Sequence, residues 1–553
     1  MVDYMKKGCV EAAVKTREER IMSMFDVVIR GATIYDGTGG PSYIGDVAVE
    51  NGVIAKAGEV SETGRIEIDG KGRALAPGFI DTHTHSDYQS FFDPSRLCKL
   101  RQGVTLEVGG QCGWSRGPAD LNIPKAAYDY LSTVNNGGNP ITLYPTYTKL
   151  LEAIGALKPG AHQVLFVGHH ILRGSVIGME DRPPTKEELE RMKELLEGAM
   201  QEGALGLSTG LVYAPGVYGT TEEIVELAKV VAKYGGIYTS HIRDEADRLV
   251  EAVAEVIHVA KEAKVRANIS HLKAMYTKNL PKLDEVISMI EAANAEGCDI
   301  FFDVYPYDAS SATILSTLPP SYLSHDMDWL IGELSSPEGV ARLEKAIMEP
   351  TEVWENPMLN AGFDKDLIVQ AKETPDAVGK TIREYAQEKG MRDVEAYAYI
   401  IAKNRGGVSD VRFVMAEESL ERLYKHPLCT LGTDGLYRGG PNISHPRAFG
   451  SFPRYLGRFV REKKILSYEE AIRRITGLPA DRYELKNKGY IKEGYDADLV
   501  LFDWERIIDH ATYKDPFLPN EGIEMVFVGG EAAVVNNRPT GVLNGKVYKR
   551  EMN

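Results

Sequence analysis

The sequence predicts an α/β fold: a (β/α)8 barrel, a small β-sandwich domain built from both chain ends, and a helical insertion before the last barrel strand. Three observations predict it. Short apolar runs alternate with helical periodicity through the middle of the chain, as βα units around a parallel sheet require. There are about eight such runs, the number that closes a barrel. Both ends have a different texture, with β-branched runs separated by turn residues.

The N-terminal module comes first. Asp26-Val-Val-Ile-Arg-Gly31 reads as a strand closed by a glycine, and Gly45-Asp-Val-Ala-Val49 and Val53-Ile-Ala-Lys-Ala-Gly58 follow it. Ala497-Asp-Leu-Val-Leu-Phe-Asp503, Met525-Val-Phe-Val-Gly-Gly530 and Ala533-Val-Val535 repeat the pattern near the other end. Residues 25–76 and 487–553 are therefore expected to share one sheet domain, with termini meeting at its surface. The barrel is expected over 77–486. Its strands fall near 79–83, 104–109, 163–168, 204–208, 236–240, 265–270, 299–305 and 428–433. Helical stretches Lys186–Gly203, Thr221–Tyr234, Glu245–Ala263 and Leu283–Gly297 separate several of them. Residues 309–425 are rich in Glu, Lys and Ala, and a gap of that size reads as an inserted helical subdomain.

Composition narrows the function. The 553 residues are 43% apolar and 26% charged, ordinary for a globular protein with a large core. The net charge of −16 leaves no basic face for nucleic acid. Five scattered cysteines, an odd number, suit a reducing cytoplasm better than a disulfide framework. No apolar run is long enough to span a membrane. The charged stretch Met1–Met24 lacks the apolar centre of a signal peptide. It reads as an extra helix, or the chain starts at Met22 or Met24. No pattern specifies an oligomeric state.

Reactive groups in such a barrel come from the carboxyl ends of its strands. Here those ends carry metal-binding and acid–base residue types. His83 and His85 close Phe79-Ile-Asp-Thr-His83-Thr-His85, and two residues apart on a strand they share a face. His241 ends Gly236-Ile-Tyr-Thr-Ser-His241, and His271 ends Ala267-Asn-Ile-Ser-His271. Asp434 follows Cys429-Thr-Leu-Gly-Thr433. Cys112 comes just after the second strand, where a thiolate would be a soft zinc ligand at about 2.3 Å. Taken singly, each has a plain reading: a core histidine, a small buried thiol, an Asp-Gly turn. Their order on successive strand ends points instead to a metal-dependent hydrolase. Arg447 offers a planar fork for a substrate carboxylate, and Lys273 lies on the same side of its strand as His271. Arg243, Asp244 and Glu245 suit a helix N-terminus, Glu245 above all.

The order His-x-His, His, His, Asp on strands one, five, six and eight resembles the amidohydrolase superfamily. The finer motifs resemble its D-aminoacylase (N-acyl-D-amino-acid deacylase) family. They are Gly109-Gly-Gln-Cys112-Gly113, Gly203-Ala-Leu-Gly-Leu-Ser-Thr-Gly-Leu211, Ser240-His-Ile-Arg-Asp-Glu245, Ser270-His-Leu-Lys273, Asp303-Val-Tyr-Pro-Tyr307, Gly432-Thr-Asp-Gly435 and His445-Pro-Arg447. The similarity runs from about residue 25 to the end, least certainly in the insertion. Many superfamily members carry a metal-bridging lysine on strand four, and Ala204-Leu-Gly-Leu-Ser-Thr-Gly210 has none. The resemblance implies one tight zinc on Cys112, His241 and His271, and a weaker second site at His83 and His85. It implies Asp434 as general base and then general acid. It also implies Arg447, Lys273, Tyr305 and Ser311 around the substrate carboxylate, with Tyr213 lining the pocket. The expected activity is hydrolysis of N-acyl-D-amino acids, small-molecule substrates, to a carboxylate and a free D-amino acid. The rivals are an amidohydrolase of cyclic amides (hydantoin or dihydropyrimidine) or dipeptides, and a non-catalytic scaffold relative.

Overall fold

The computed structural model describes residues 24–349, 354–437 and 444–551. The alternative starts at Met1 and Met22 lie outside them. Parallel strands stand where the apolar runs lie: β1 (Phe79–Asp81), β2 (Val104–Gly109), β3 (His162–Leu165 continued by Val167–Gly168), β4 (Gly206–Gly210), β5 (Ile237–His241), β6 (Arg266–Ile269), β7 (Ile300–Val304) and β8 (Cys429–Leu431). Each pairs with the next in order. β3 spans the one break, its first half bonding to β2 and its last residues to β4. β8 returns to β1: the Thr82 amide donates to the Leu431 carbonyl at 3.3 Å, and Thr84 bridges Gly435. The barrel is closed.

One end of the barrel is sealed by apolar side chains. Ile80, Leu106, Phe166, Leu205, Ile237 and Phe301 fill it, and Tyr483 caps them edge-on to Phe166 and Phe301. Polar chemistry is thereby left to the carboxyl ends of the strands.

Helices Lys186–Gln201, Thr221–Lys233, Leu249–Ala263 and Lys282–Ala295 match the expected stretches. Their starts follow from capping. Thr185 and Glu188 form a reciprocal box, and Thr220 accepts from the Glu223 amide. The third helix begins at Leu249, not at Glu245. Asp244 closes the turn ahead of it, accepting from the Ala246 and Arg248 amides, while Glu245 turns inward.

The two chain ends build one sheet of nine strands. Strand Leu499–Phe502 pairs antiparallel with Ala74–Pro77, directly ahead of β1. Strand Phe25–Ile34 bonds to Gly64–Asp69 through its first half and to Ala74–Pro77 through its last two residues. The change of partner falls beside an irregularity at Gly31, whose φ of 65° suits a residue without Cβ. The sheet folds over at that corner.

Between β7 and β8 the expected helical insertion is present, and it also carries a small sheet. Helices Met327–Leu334, Pro337–Met348, Ile382–Lys389 and Asp393–Lys403 are present. A three-stranded antiparallel sheet accompanies them: Ser310–Thr313, Val408–Arg412 at the centre, and Asp366–Ala371. Asp366-Leu-Ile-Val-Gln-Ala371 is a short β-branched run among strong helix formers, so the composition of its surroundings hid it.

Phe502 ties the shared sheet to the barrel. It is fully buried, edge-on to Phe79 at 6.2 Å and to Trp504 at 5.0 Å. Phe502→Ala should cost about 3–5 kcal/mol in denaturant unfolding, and Phe502→Leu about 1 kcal/mol. An alanine variant as stable as the parent would show that this junction is not packed as described.

Candidate active site

Backbone geometry aims the functional groups. Cys112, His271 and Asp434 each follow a strand by a few residues and each has a positive φ, at 52°, 35° and 47°. Non-glycine residues rarely adopt this region, and such strain persists only where the surroundings over-determine it. Here it turns three side chains off their strands and over the barrel mouth. The Asp434 amide donates to the His83 carbonyl at 2.7 Å, which fixes the β8 turn against β1. Beneath this seam the buried Lys99 ammonium donates to Asp81, Thr84 and Thr433 at 2.7, 3.1 and 2.5 Å.

The donors converge in two groups that share Cys112. His83, His85, Cys112 and Asp434 form one; Cys112, His241 and His271 form the other; donor atoms within each lie within 4.8 Å of one another. Cys112 Sγ is 3.2 Å from His83 Nε2 and 3.4 Å from His271 Nε2. His85 Nε2 is 3.1 Å from Asp434 Oδ1. All are buried except His85, which is partly exposed. The resemblance grouped Cys112 with His241 and His271; the structure also brings it to the His83–His85 pair.

The protonation states suit a cation. Burial pushes the Cys112 thiol well above its ordinary range, and Asp434 and Asp303 add to the effect. Burial holds His241 and His271 well below theirs, so both imidazoles are neutral, the ligating form. Both ring nitrogens of His241 are buried without a hydrogen-bond partner. A buried polar group left so is costly, and a metal ion answers it. Thiolate and imidazole donors match zinc; the residues fit the group.

Two carboxylates orient the imidazoles, and the sequence missed both. Glu245 Oε1 lies 3.0 Å from His271 Nδ1 and 2.5 Å from Lys273 Nζ, with Oε2 3.7 Å from His241. It is not a helix cap. Asp303 Oδ1 lies 3.2 Å from His83 Nδ1 and accepts from the His271 amide at 2.9 Å, while Oδ2 accepts from Asn268 at 2.7 Å. Holding the far nitrogen fixes which nitrogen would face a metal. A signal for Asp303 was available: it is an acid inside the apolar run Ile300-Phe-Phe-Asp303-Val304.

Asp434 meets Arg447. Burial would raise its carboxyl, but the Arg447 guanidinium and the surrounding imidazoles hold it well below the usual range, so it is ionised. Arg447 Nη1 stands 2.8 Å from Asp434 Oδ2, yet makes no hydrogen bond of good geometry. Nη2 donates to the Ser311 carbonyl at 2.9 Å. Tyr305 lies between the cations, its ring centroid 4.6 Å from the Arg447 guanidinium and 5.5 Å from Lys273 Nζ. Lys273 also sits 2.8 Å from His271 Nδ1. Tyr213 stands edge-on to His241 at 4.8 Å. From His85, Asp434 and Arg447 a cleft opens outward, walled by the inserted sheet at Ser311–Thr313, Val369, Gln370 and Ser409.

Known proteins are similar to this chain over most of its length. Residues 67–534 match the model of the amidohydrolase family. The chain is 33% identical to an N-acyl-D-aspartate deacylase of Alcaligenes xylosoxydans xylosoxydans, covering 91% of each chain. It is 32% identical to a D-aminoacylase of the same organism, over 95% of this chain and 98% of that one. A crystal structure of N-acyl-D-glutamate deacylase from Bordetella bronchiseptica, complexed with zinc and a phosphonate inhibitor, superposes with a TM-score of 0.80 at 30% identity. The match covers 95% of this chain and all of that one, 100%. Fold, strand-end chemistry and similarity agree, and the chain belongs to the amidohydrolase family, in its D-aminoacylase group.

Proposed function

We propose that this protein hydrolyses the amide bond of N-acyl-D-amino acids, releasing a carboxylate and a free D-amino acid. The observation that carries the reading is one buried cluster: Cys112, His241 and His271 converge on a common point, with the ionised Asp434 and the Arg447 fork beside them. The deacylases similar to it over nearly their whole length support the same chemistry.

Cys112, His241 and His271 would hold one tight zinc ion, and His83 with His85 a weaker second. Zinc bound there supplies Lewis acidity toward the scissile carbonyl and the attacking water. Asp434 takes the proton of that water and returns it to the leaving nitrogen as the C–N bond breaks, since an unprotonated amide anion leaves poorly. Its low pKa keeps it in the accepting form throughout the working range. Arg447 Nη1, without a good partner of its own, meets the substrate's α-carboxylate, with Ser311 and Tyr305 beside it. Lys273, bound to Glu245 behind His271, adds positive charge from below, and Tyr213 packs against the bound substrate. Glu245 and Asp303 hold the imidazoles in place. No helix of the described residues is long and apolar enough to cross a membrane. We assign the protein to the cytoplasm, where a reducing environment keeps the Cys112 thiol free.

Turnover of matched N-acetyl-D- and N-acetyl-L-methionine tests the activity. The D-isomer should be hydrolysed, and hydrolysis of hydantoins instead of either would reject the reading. Asp434→Asn should lower kcat by about a hundred- to ten-thousandfold while the bound metal is retained; unchanged turnover would remove Asp434 from the mechanism. In dialysed protein analysed for metal, His83→Ala should keep more zinc than Cys112→Ala, and the reverse order would end the one-tight-metal assignment.

A further inference from the structure

Cys112 occupies a backbone conformation that a residue with a side chain disfavours. The Trp114 amide donates to the Gln111 carbonyl at 2.9 Å, closing a tight turn over Gln111–Trp114. Both central residues have positive φ, Cys112 at 52° and Gly113 at 79°. That is the type I′ pattern, in which glycine, asparagine and aspartate are at ease. A cysteine stays in it only where its surroundings hold it. His271 and Asp434, strained in the same way, are held by their own amides, on Asp303 and on the His83 carbonyl. We propose that Ser208 is the corresponding positioning residue for Cys112, its hydroxyl setting where the sulfur points and hence how tightly zinc is held there. This rests on Cys112 as a metal ligand, assigned above.

Ser208 is fully buried on β4, where it pairs with Thr239 of β5. Two residues on, Gly210 pairs with His241, so Ser208 lies on the same face of the sheet, one step below that imidazole. A serine hydroxyl can donate once and also accept. This one does both across the turn. It donates to the Gly110 carbonyl at 2.5 Å and accepts from the Gly113 amide at 3.0 Å. Those two groups flank Gln111-Cys112, so the hydroxyl closes a ring around the ligand residue. The Gly113 amide shares a peptide plane with the Cys112 carbonyl, and fixing that plane fixes ψ of Cys112. On the other side of the turn, the Gly113 carbonyl accepts from the His170 amide at 2.9 Å. Gly210 permits the close approach of β4, since a Cβ there would come within 2.3 Å of the Cys112 carbonyl oxygen. Without the hydroxyl, a carbonyl and an amide inside the barrel each lose a partner. The turn then relaxes toward a conformation that suits cysteine, and the sulfur leaves the point it shares with His241 and His271.

Ser208→Ala removes one oxygen atom and tests the proposal. Thr209→Val is its control: the neighbouring hydroxyl is equally buried, but it bonds Tyr238 and Ser240, at 3.0 and 2.9 Å, on the opposite face of the strand. Zinc affinity of each full-length protein is measured by competition with a chelator. The sulfur-to-metal absorption of the cobalt(II) form and thermal unfolding are recorded on the same samples. Ser208→Ala should weaken zinc binding about ten- to a hundredfold and displace or weaken the cobalt band. Thr209→Val should keep both at the parent's values, whatever it costs in melting temperature. Parent-like affinity and band in Ser208→Ala, or an equal loss in the two variants, overturns the inference. A parent protein that binds one cobalt ion without the band would reject Cys112 as a ligand, and this inference with it.

Discussion

The site depends on one constraint: a thiol and two imidazoles are buried together with too few protons and partners to satisfy them. A buried thiol alone stays protonated, and the neutral His241 imidazole beside it has a lone pair with nowhere to go. His241, with neither ring nitrogen hydrogen-bonded, expresses the constraint most plainly. A divalent cation held there would resolve all of it at once, because it would turn the thiol into an anionic ligand and accept the imidazole lone pairs. Much of the surrounding architecture holds this cluster in place.

Three features do the holding. Left-handed backbone at Cys112, His271 and Asp434 turns the side chains over the barrel mouth. Glu245 and Asp303, from the ends of β5 and β7, fix the far nitrogens of His271 and His83. The Lys99–Asp81–Thr433 bridge locks the first strand to the last just below Asp434. At the opposite end, the apolar seal around Tyr483 keeps water out of the barrel interior. The inserted sheet then turns an open barrel mouth into a cleft with defined walls.

The barrel was legible because its signal is periodic and local. Apolar runs ending in His, His and Asp mark strand ends whatever the loops between them do, and all eight expected strands overlap those observed. Glu245 and Asp303 were not legible in the same way. Their roles come from neighbours on other strands, and a sequence shows Glu245 only as an acid ahead of a helix, where the helix dipole gives it a plain role. In the structure the helix starts four residues later, at Leu249. The inserted sheet was hidden for a different reason. Its strands are four to six residues long, and tertiary pairing outweighs the helical propensity around them. The walls of the cleft were likewise out of reach, since they come from segments as distant as Val134, Thr313 and Gln370.

Thiolate ligation by Cys112 is the center of this account, and cobalt(II) reports it directly. Cobalt(II) loaded into the metal-free protein should give an intense sulfur-to-metal charge-transfer absorption in the near ultraviolet. Cys112→Ser should abolish that band while His83→Ala preserves it. A stoichiometric cobalt protein without the band would show that the thiol is not a ligand, and would contradict the account.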